Sequence, residues 1–369
     1  MLNYTFSIEM AFLIFPFIAF VFTIPYLIYQ YHKFGSIPAI RSLIVYSFIL
    51  YLICAYFLII LPLPKISDVA KMTGSTMQLK PFGFVQDILK ETSLTSSGVL
   101  AIIKNHSVYT IIFNLLLLIP FGIYLKYYFE KKWYEVIIYS FLLSLFFELT
   151  QLSGLYGIYP RSYRLFDVDD LLINTLGGTL GFIISPILEK ILPSKTKLDE
   201  TSYKNSKNIT LTRRIMAFLI DLFCIIVIYV IMTLLFSNTF FNKYIFLIVL
   251  LIYYLIIPLF TEGVTVGKKI VHLKIVDSFS NKAKYYQIFF RYLLGCFFFI
   301  YFPYTYGLLK SLIKSTPINS AVIFGLLLFY ILNVISVLKS LFRKNKLLLY
   351  EKITKTKSVN TINYIENVE

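Results

Sequence analysis

Apolar residues occupy this chain in runs near twenty residues long, separated by short segments rich in lysine, serine, asparagine and proline. A helix needs about that length to cross the hydrocarbon of a bilayer, because each residue adds only about 1.5 Å of rise. Nine such runs can be placed: Met10 to Tyr29, Ser42 to Leu61, Tyr109 to Tyr127, Tyr134 to Leu152, Leu171 to Leu188, Ile215 to Leu235, Tyr244 to Phe260, Tyr292 to Leu309 and Ala321 to Leu338. The pattern predicts an all-α, polytopic transmembrane helical bundle of about nine spans. Over residues 191–209 the apolar pattern gives way to Ser, Lys, Thr and Asn, a composition that cannot build a core. The expected organisation is therefore a five-span unit (1–190), a cytoplasmic linker (191–209) and a four-span unit (210–359).

Composition agrees with this reading. Of 369 residues, 58% are hydrophobic and 15% charged, and the mean hydropathy of +0.76 excludes an ordinary soluble globular protein. The net charge of +16 would suggest nucleic acid in a soluble chain. Here the basic residues cluster between apolar runs, so the anionic face of a membrane is the expected counterpart and nucleic acid is not. Lys33 and Arg41, then Lys126, Lys131 and Lys132, then Lys190 to Arg214, Lys268 to Arg291 and Lys339 to Lys346 alternate as cytoplasmic segments. That alternation predicts an outside N-terminus and a cytoplasmic C-terminus.

The long connection from Pro62 to Ser107 falls outside the membrane on this topology, and its amphipathic piece Pro81 to Leu89 is suited to lying on the bilayer. The first run has no basic residue before it and no small-residue cleavage signature, which reads as a retained helix. Cys54, Cys224 and Cys296 lie far apart inside apolar runs without metal-ligand spacing, so packing is their expected role. No cofactor-binding motif is recognised.

The densest polar stretch runs from Leu145 to Gly181. Glu148 and Gln151 share one face at the outer end of the fourth span. Asp170 and Asn174 are one turn apart at the start of the fifth, where Asn174 lies about 6 Å deeper, and Asn114 is less than about 12 Å into the third. Helix rise and topology alone thus bring Asn114, Glu148, Gln151, Asp170 and Asn174 to similar depth. Arg161 and Arg164 offer bidentate donors for phosphate or carboxylate. Asp167, Asp169 and Asp170 stand where a helix N-terminus favours anions. They are able to cap the helix, pair with the arginines or hold a hard divalent cation. Three readings stay open: a structural cap and salt-bridged interface, a lipid or glycan head-group site, and a metal or acid–base site. His106 is the nearest histidine, while His32 and His272 fall on the cytoplasmic side. Gly177 and Gly181, with Gly178 between, form a small-residue face for close helix packing.

The series Asn114, Pro120, Gly122, Glu148, Gln151, Arg164, Asp167, Asp169, Asp170, Asn174, Gly177, Gly178 and Gly181, with its spacings, resembles the VanZ-like family over about Ser42 to Leu188. The piece Met77 to Phe82 is similar to a short element of that family, with Gln78 in place of Asn. The resemblance implies an integral protein of the bacterial cytoplasmic membrane and reduced susceptibility to lipid-tailed glycopeptides such as teicoplanin. A lipid-linked envelope precursor or a lipoglycopeptide is the implied partner, beside membrane lipids. It implies no established chemistry.

In the second unit, Arg213 and Arg214 fit a cytoplasmic interface, and Asp221 lies about two turns into a span, where it needs a partner. Arg291 is the expected one. Gly263 and Gly267 bracket a polar turn with Lys268 and Lys269 following; their spacing there is read as neither a helix-packing signal nor a phosphate loop. The alternation from Val271 to Val276 suits an interfacial hairpin. Arg213 or Arg214, Asp221, Gly263, Thr265, Gly267, Lys268, Lys269, Val276, Asp277 and Arg291 resemble the RDD family over about Thr210 to Val359. The tail departs from that family at Tyr350, Glu351 and Lys355, and its imidazole is absent. Some members of the family are linked to ion exchange, which leaves an ion-coupled transporter open beside the envelope-protein reading. An enzyme acting on a lipid phosphate through the arginines and aspartates is the third.

Overall fold

The computed structural model describes residues 4–94, 106–236, 245–296, 325, 328, 330–339 and 347–362. Six helices among them are long and apolar enough to cross a membrane: α1 (Tyr4–Phe34), α2 (Ala39–Ile60), α5 (His106–Tyr127), α6 (Trp133–Leu152), α7 (Val168–Glu189) and α9 (Leu211–Leu235). Two shorter helices, α3 (Ile66–Ala70) and α4 (Gly83–Leu94), follow α2. The outward apolar side chains on α1, such as Phe17 and Phe20 at 72% and 70% exposure, have hydrocarbon as their natural solvent. The chain is an all-α, multi-pass membrane protein.

Of the nine expected spans, the first six correspond to these helices. The seventh is a shorter helix, α10 (Ile245–Phe260), interrupted by a π-turn at Ile252–Ile256. The eighth lies outside the described residues beyond the end of α12 (Tyr285–Cys296). Most of the first half of the ninth does too, and its second half belongs to α13 (Tyr330–Lys339).

Contacts divide the chain into two units, Met1–Phe22 with Ala39–Leu198 and Thr23–Pro38 with Asp199–Glu369. The polar stretch read as a linker forms a helix, α8 (Lys195–Ser206), with Leu198, Ser202 and Ser206 buried. Its polar composition leaves the backbone free to satisfy itself by helical hydrogen bonds even where no apolar stripe demands it.

In the first unit α5 and α7 pack backbone to backbone. A Cβ on Gly122 would sit 1.9 Å from the Gly178 carbonyl oxygen, and one on Gly177 or Gly181 would sit 2.1 Å from that of Leu115 or Ile119. Any side chain larger than hydrogen is excluded along this seam. Two short parallel strands, β1 (Met77–Gln78) and β2 (Phe166–Asp167), tie the Pro62–Ser107 connection to the start of α7. The amphipathic piece expected near Pro81 begins α4.

In the second unit a short helix, α11 (Val266–Ile270), packs against α9. Gly267 is a packing glycine after all, since a Cβ there would lie 2.0 Å from the Ala217 carbonyl oxygen. The polar surroundings that argued against this role belong to the loop, whereas the contact is made to a helix distant in sequence. The alternating stretch becomes β3 (Leu273–Asp277), whose local pairing is limited to one antiparallel bridge, Val276 to Lys282. Its partner is β4 (Thr356–Asn360), antiparallel, placed by the small helix α14 (Leu349–Ile353) just before it.

Candidate functional site

At one end of the α5–α6–α7 bundle lies a cavity of about 550 Å³. Seven of the nine polar candidates line it: Asn114, Glu148, Gln151, Arg164, Asp167, Asp170 and Asn174. Leu58, Ile59, Leu61 and Pro62 supply an apolar wall from the end of α2 and the residues after it. Three helices and the loop before α7 position the polar groups, each held by a specific bond.

Asp167 caps α7, its side chain accepting from the Asp169 N–H at 2.8 Å. Its own N–H donates to Glu148 Oε2 at 3.0 Å, so a carboxylate of α6 anchors the first turn of α7. Asn114 Nδ2 donates to Asp170 Oδ1 at 2.6 Å, joining α5 to α7. Asn174 Nδ2 donates to Ser144 Oγ at 3.0 Å. The other end of that amide, Asn174 Oδ1, is buried and has no hydrogen-bond partner. Such an unmatched acceptor costs about 1–3 kcal/mol unless something donates to it.

The two arginines separate. Arg164 donates Nη1 to Ile59 O at 2.8 Å and Nη2 to Leu61 O at 3.4 Å, capping the C-terminal end of α2 beside the cavity. Gln151 Nε2 reaches the same Ile59 carbonyl at 3.0 Å. Arg161 lies elsewhere, its Nη1 on Met72 O and its Nη2 on Gly74 O at 2.9 Å. Both guanidiniums, expected to offer bidentate donors to phosphate or carboxylate, turn their Nη groups to backbone carbonyls of different segments. Asp169 is also diverted: its two oxygens accept from Phe82 N at 2.6 Å and Phe84 N at 3.1 Å, capping the start of α4. Among the described residues no group of three or more His, Cys, Asp or Glu side chains is arranged to hold a metal ion. Sequence reasoning passed over Ser144, although it stands four residues before Glu148 on the same helical face.

The second polar centre resolves differently from its expected pairing. Asp221 Oδ1 accepts from Tyr253 Oη and from Gly267 N, each at 2.7 Å, and Oδ2 accepts from Thr265 Oγ1 at 2.7 Å. Arg291 is not its partner. Tyr253 arrives from the π-turn of α10, and the loop that ends in Gly267 wraps directly onto α9, so both carboxylate oxygens are filled from that side. Arg291 instead meets Glu351 Oε1 at 2.5 Å, with Thr356 Oγ1 at 2.6 Å and Ser358 Oγ at 2.9 Å. Arg214 takes the other oxygen of Glu351 at 2.6 Å. Burial of Glu351 pushes its carboxyl up, but Arg291 and Arg214 outweigh that and hold it below the usual carboxylate range.

Arg213 is fully buried within the protein, donating to the carbonyls of Val271, Ser206 and His272 and to Asn360 Oδ1. Lys268 Nζ bonds Tyr292 Oη and lies 4.1 Å from that ring's centroid. Tyr253, Tyr292 and Glu351 were not among the candidates. Glu351 carried a signal all the same, as the one acidic residue among the lysines from Lys339 to Lys357.

A bundle of apolar helices around a buried polar cavity, joined to a second membrane unit knit by buried carboxylate–arginine pairs, defines a two-domain multi-pass membrane protein. Residues 48–189 match the VanZ/LLP1 family and residues 209–350 match the RDD family, so the chain joins a VanZ-like domain to an RDD domain. No curated protein and no solved structure matches it significantly.

Proposed function

We propose that the chain is an envelope protein of a bacterial cytoplasmic membrane whose VanZ-like domain recognises a hydrogen-bond-donating head group on the extracytoplasmic side and lowers susceptibility to glycopeptides such as teicoplanin. The observation that carries the ligand class is Asn174 Oδ1, a buried acceptor left without a donor in a cavity that also holds Glu148, Asp167 and Asp170. Three carboxylates and an amide oxygen against one arginine favour a ligand rich in N–H or O–H groups, such as glycan hydroxyls or an ammonium. A phosphate would meet mainly acceptors. The apolar wall from the end of α2 suits a lipid tail or an aromatic flank beside that head group. The antibiotic link rests on the resemblance to the VanZ-like family.

The ion-coupled reading draws little support from Asp221, whose oxygens are filled by three protein donors. Nor does Arg161, bonded away from the cavity, support a lipid-phosphate enzyme.

The test is teicoplanin and vancomycin susceptibility in a deletion strain carrying the wild type, Glu148→Gln, Asp170→Asn or Asn174→Ala, with membrane levels checked by blot. Protection against teicoplanin by the wild type, lost in well-expressed variants, is the expected result. Equal susceptibility in every strain would sink the resistance reading.

A further inference from the structure

Three side chains lining the cavity of the first unit each keep one oxygen without a hydrogen-bond donor among the described residues. Glu148 Oε2 accepts from the Asp167 N–H, which leaves Oε1. Asp170 Oδ1 accepts from Asn114 Nδ2, which leaves Oδ2. Asn174 commits its nitrogen to Ser144 Oγ, which leaves Oδ1, a buried acceptor on a side chain only 3% exposed. Asp170 and Asn174 stand one turn apart on α7, so they share a helical face.

The nitrogens around them are already directed elsewhere. The side-chain amides of Asn114, Gln151 and Asn174 each turn their nitrogen to a protein oxygen. Arg164 gives its Nη groups to the carbonyls of Ile59 and Leu61, not to Glu148 or Asp170. What the site offers a ligand is therefore oxygen, on two helices and from two carboxylates. A hydroxyl brings one donor together with lone pairs that need donors of their own, whereas a primary ammonium brings three donors, a positive charge and no acceptor. Hydrogen bonds between an ionised donor and a carboxylate are also roughly twice as strong as neutral ones.

Resting on the head-group reading above, we infer that this cavity binds a primary ammonium, its N–H groups shared among Glu148 Oε1, Asp170 Oδ2 and Asn174 Oδ1 and its carbon chain against Leu58, Leu61 and Pro62. An amino head group on a lipid and an amino sugar share this chemistry. A quaternary ammonium carries the charge but no N–H, and a neutral alcohol carries a donor but no charge.

The experiment uses the full-length protein purified in a polyoxyethylene detergent, which carries neither amine nor sugar. Hexylammonium, hexyltrimethylammonium and hexanol are titrated into it at pH 7 and followed by calorimetry. Hexylammonium is expected to bind saturably and about tenfold or more tighter than either of the others. Lysophosphatidylethanolamine and glucosamine then compete against hexylammonium, and the stronger competitor identifies the source as lipid or sugar. Glu148→Gln and Asp170→Asn each keep an oxygen for the protein's own bond while removing the charge. Each should weaken hexylammonium by about tenfold and leave the melting temperature close to wild type. Hexanol binding as tightly as hexylammonium would overturn the ammonium assignment and leave the broader donor reading standing. Equal affinity for hexyltrimethylammonium would overturn the role of the N–H groups. Undiminished binding in both folded variants would put the amine elsewhere, and no saturable binding of any of the three would take the head-group reading down with the inference.

Discussion

Glu351 Oε1 lies 2.5 Å from Arg291 Nη2, and through Oε2 the same carboxylate holds Arg214 at 2.6 Å. One acidic residue from the C-terminal segment thus joins α12 to the first turns of α9. Removing the carboxylate by Glu351→Gln would leave two guanidiniums facing each other in a buried place. Deleting one partner of a buried pair costs about 3–5 kcal/mol. Thermal unfolding of the purified protein should show a large fall in midpoint, and a shift within error would mean that the arginines find other partners.

The same carboxylate predicts a pH dependence. Its folded-state pKa is held down by Arg291 and Arg214 against the upward push of burial. A depressed pKa contributes stability above the unfolded value, about 4.3 for Glu, and loses it as pH falls through that value toward the folded one. Midpoints measured at neutral pH and near pH 4 should differ more in the wild type than in Glu351→Gln. Parallel pH profiles for the two proteins would refute the assignment.

Asp169 holds the start of α4 through the N–H groups of Phe82 and Phe84. Asp169→Ala should cost about 1 kcal/mol, the usual loss of an N-cap. The effect should be local, with faster proteolysis between Met77 and Leu94 and little change elsewhere. Uniform sensitisation of the whole first unit would instead give Asp169 a wider structural role.

Gly181 and Gly122 keep α5 and α7 in contact, and a Cβ on Gly181 would lie 2.1 Å from the Ile119 carbonyl oxygen. Gly181→Ala must push the helices apart, at a cost of about 1–3 kcal/mol for overpacking. Because Asn114 and Asp170 bridge the same two helices, head-group binding should weaken along with stability. A variant that keeps the wild-type midpoint would show that the seam relaxes freely.

His272 provides a second pH test, outside the spanning helices. Its ring stacks on His32 with centroids 5.3 Å apart, and Nε2 lies 2.8 Å from the His32 carbonyl oxygen. Burial is the main cause lowering its pKa; the bond to the His32 carbonyl opposes it, and the charges of His32 and Arg213 add to it. Stability from this group is present above the ordinary value near 6.5 and lost as pH falls below it. His272→Asn should flatten the stability profile between about pH 5 and pH 7, and an unchanged profile would show that the pair is not protonation-sensitive.

Sequence alone determined the membrane class, the first six spans and the grouping of Asn114, Glu148, Gln151, Asp170 and Asn174. These follow from local regularities: run length sets a span, and a fixed rise per residue sets depth. Tertiary structure decided how each charge is spent. Arg161 and Arg164 stand three residues apart, yet the fold of the loop sends one to Met72 and Gly74 and keeps the other at the cavity. Arg291 looked like the partner of Asp221 because a carboxylate inside a span needs a partner and Arg291 is a basic group at a neighbouring span end; the chain path gives Asp221 to Tyr253, Thr265 and Gly267 and leaves Arg291 for Glu351. Pairing of this kind depends on which distant segments arrive side by side. Neither periodicity nor composition encodes that, since a buried charge accepts any complementary group with the right geometry.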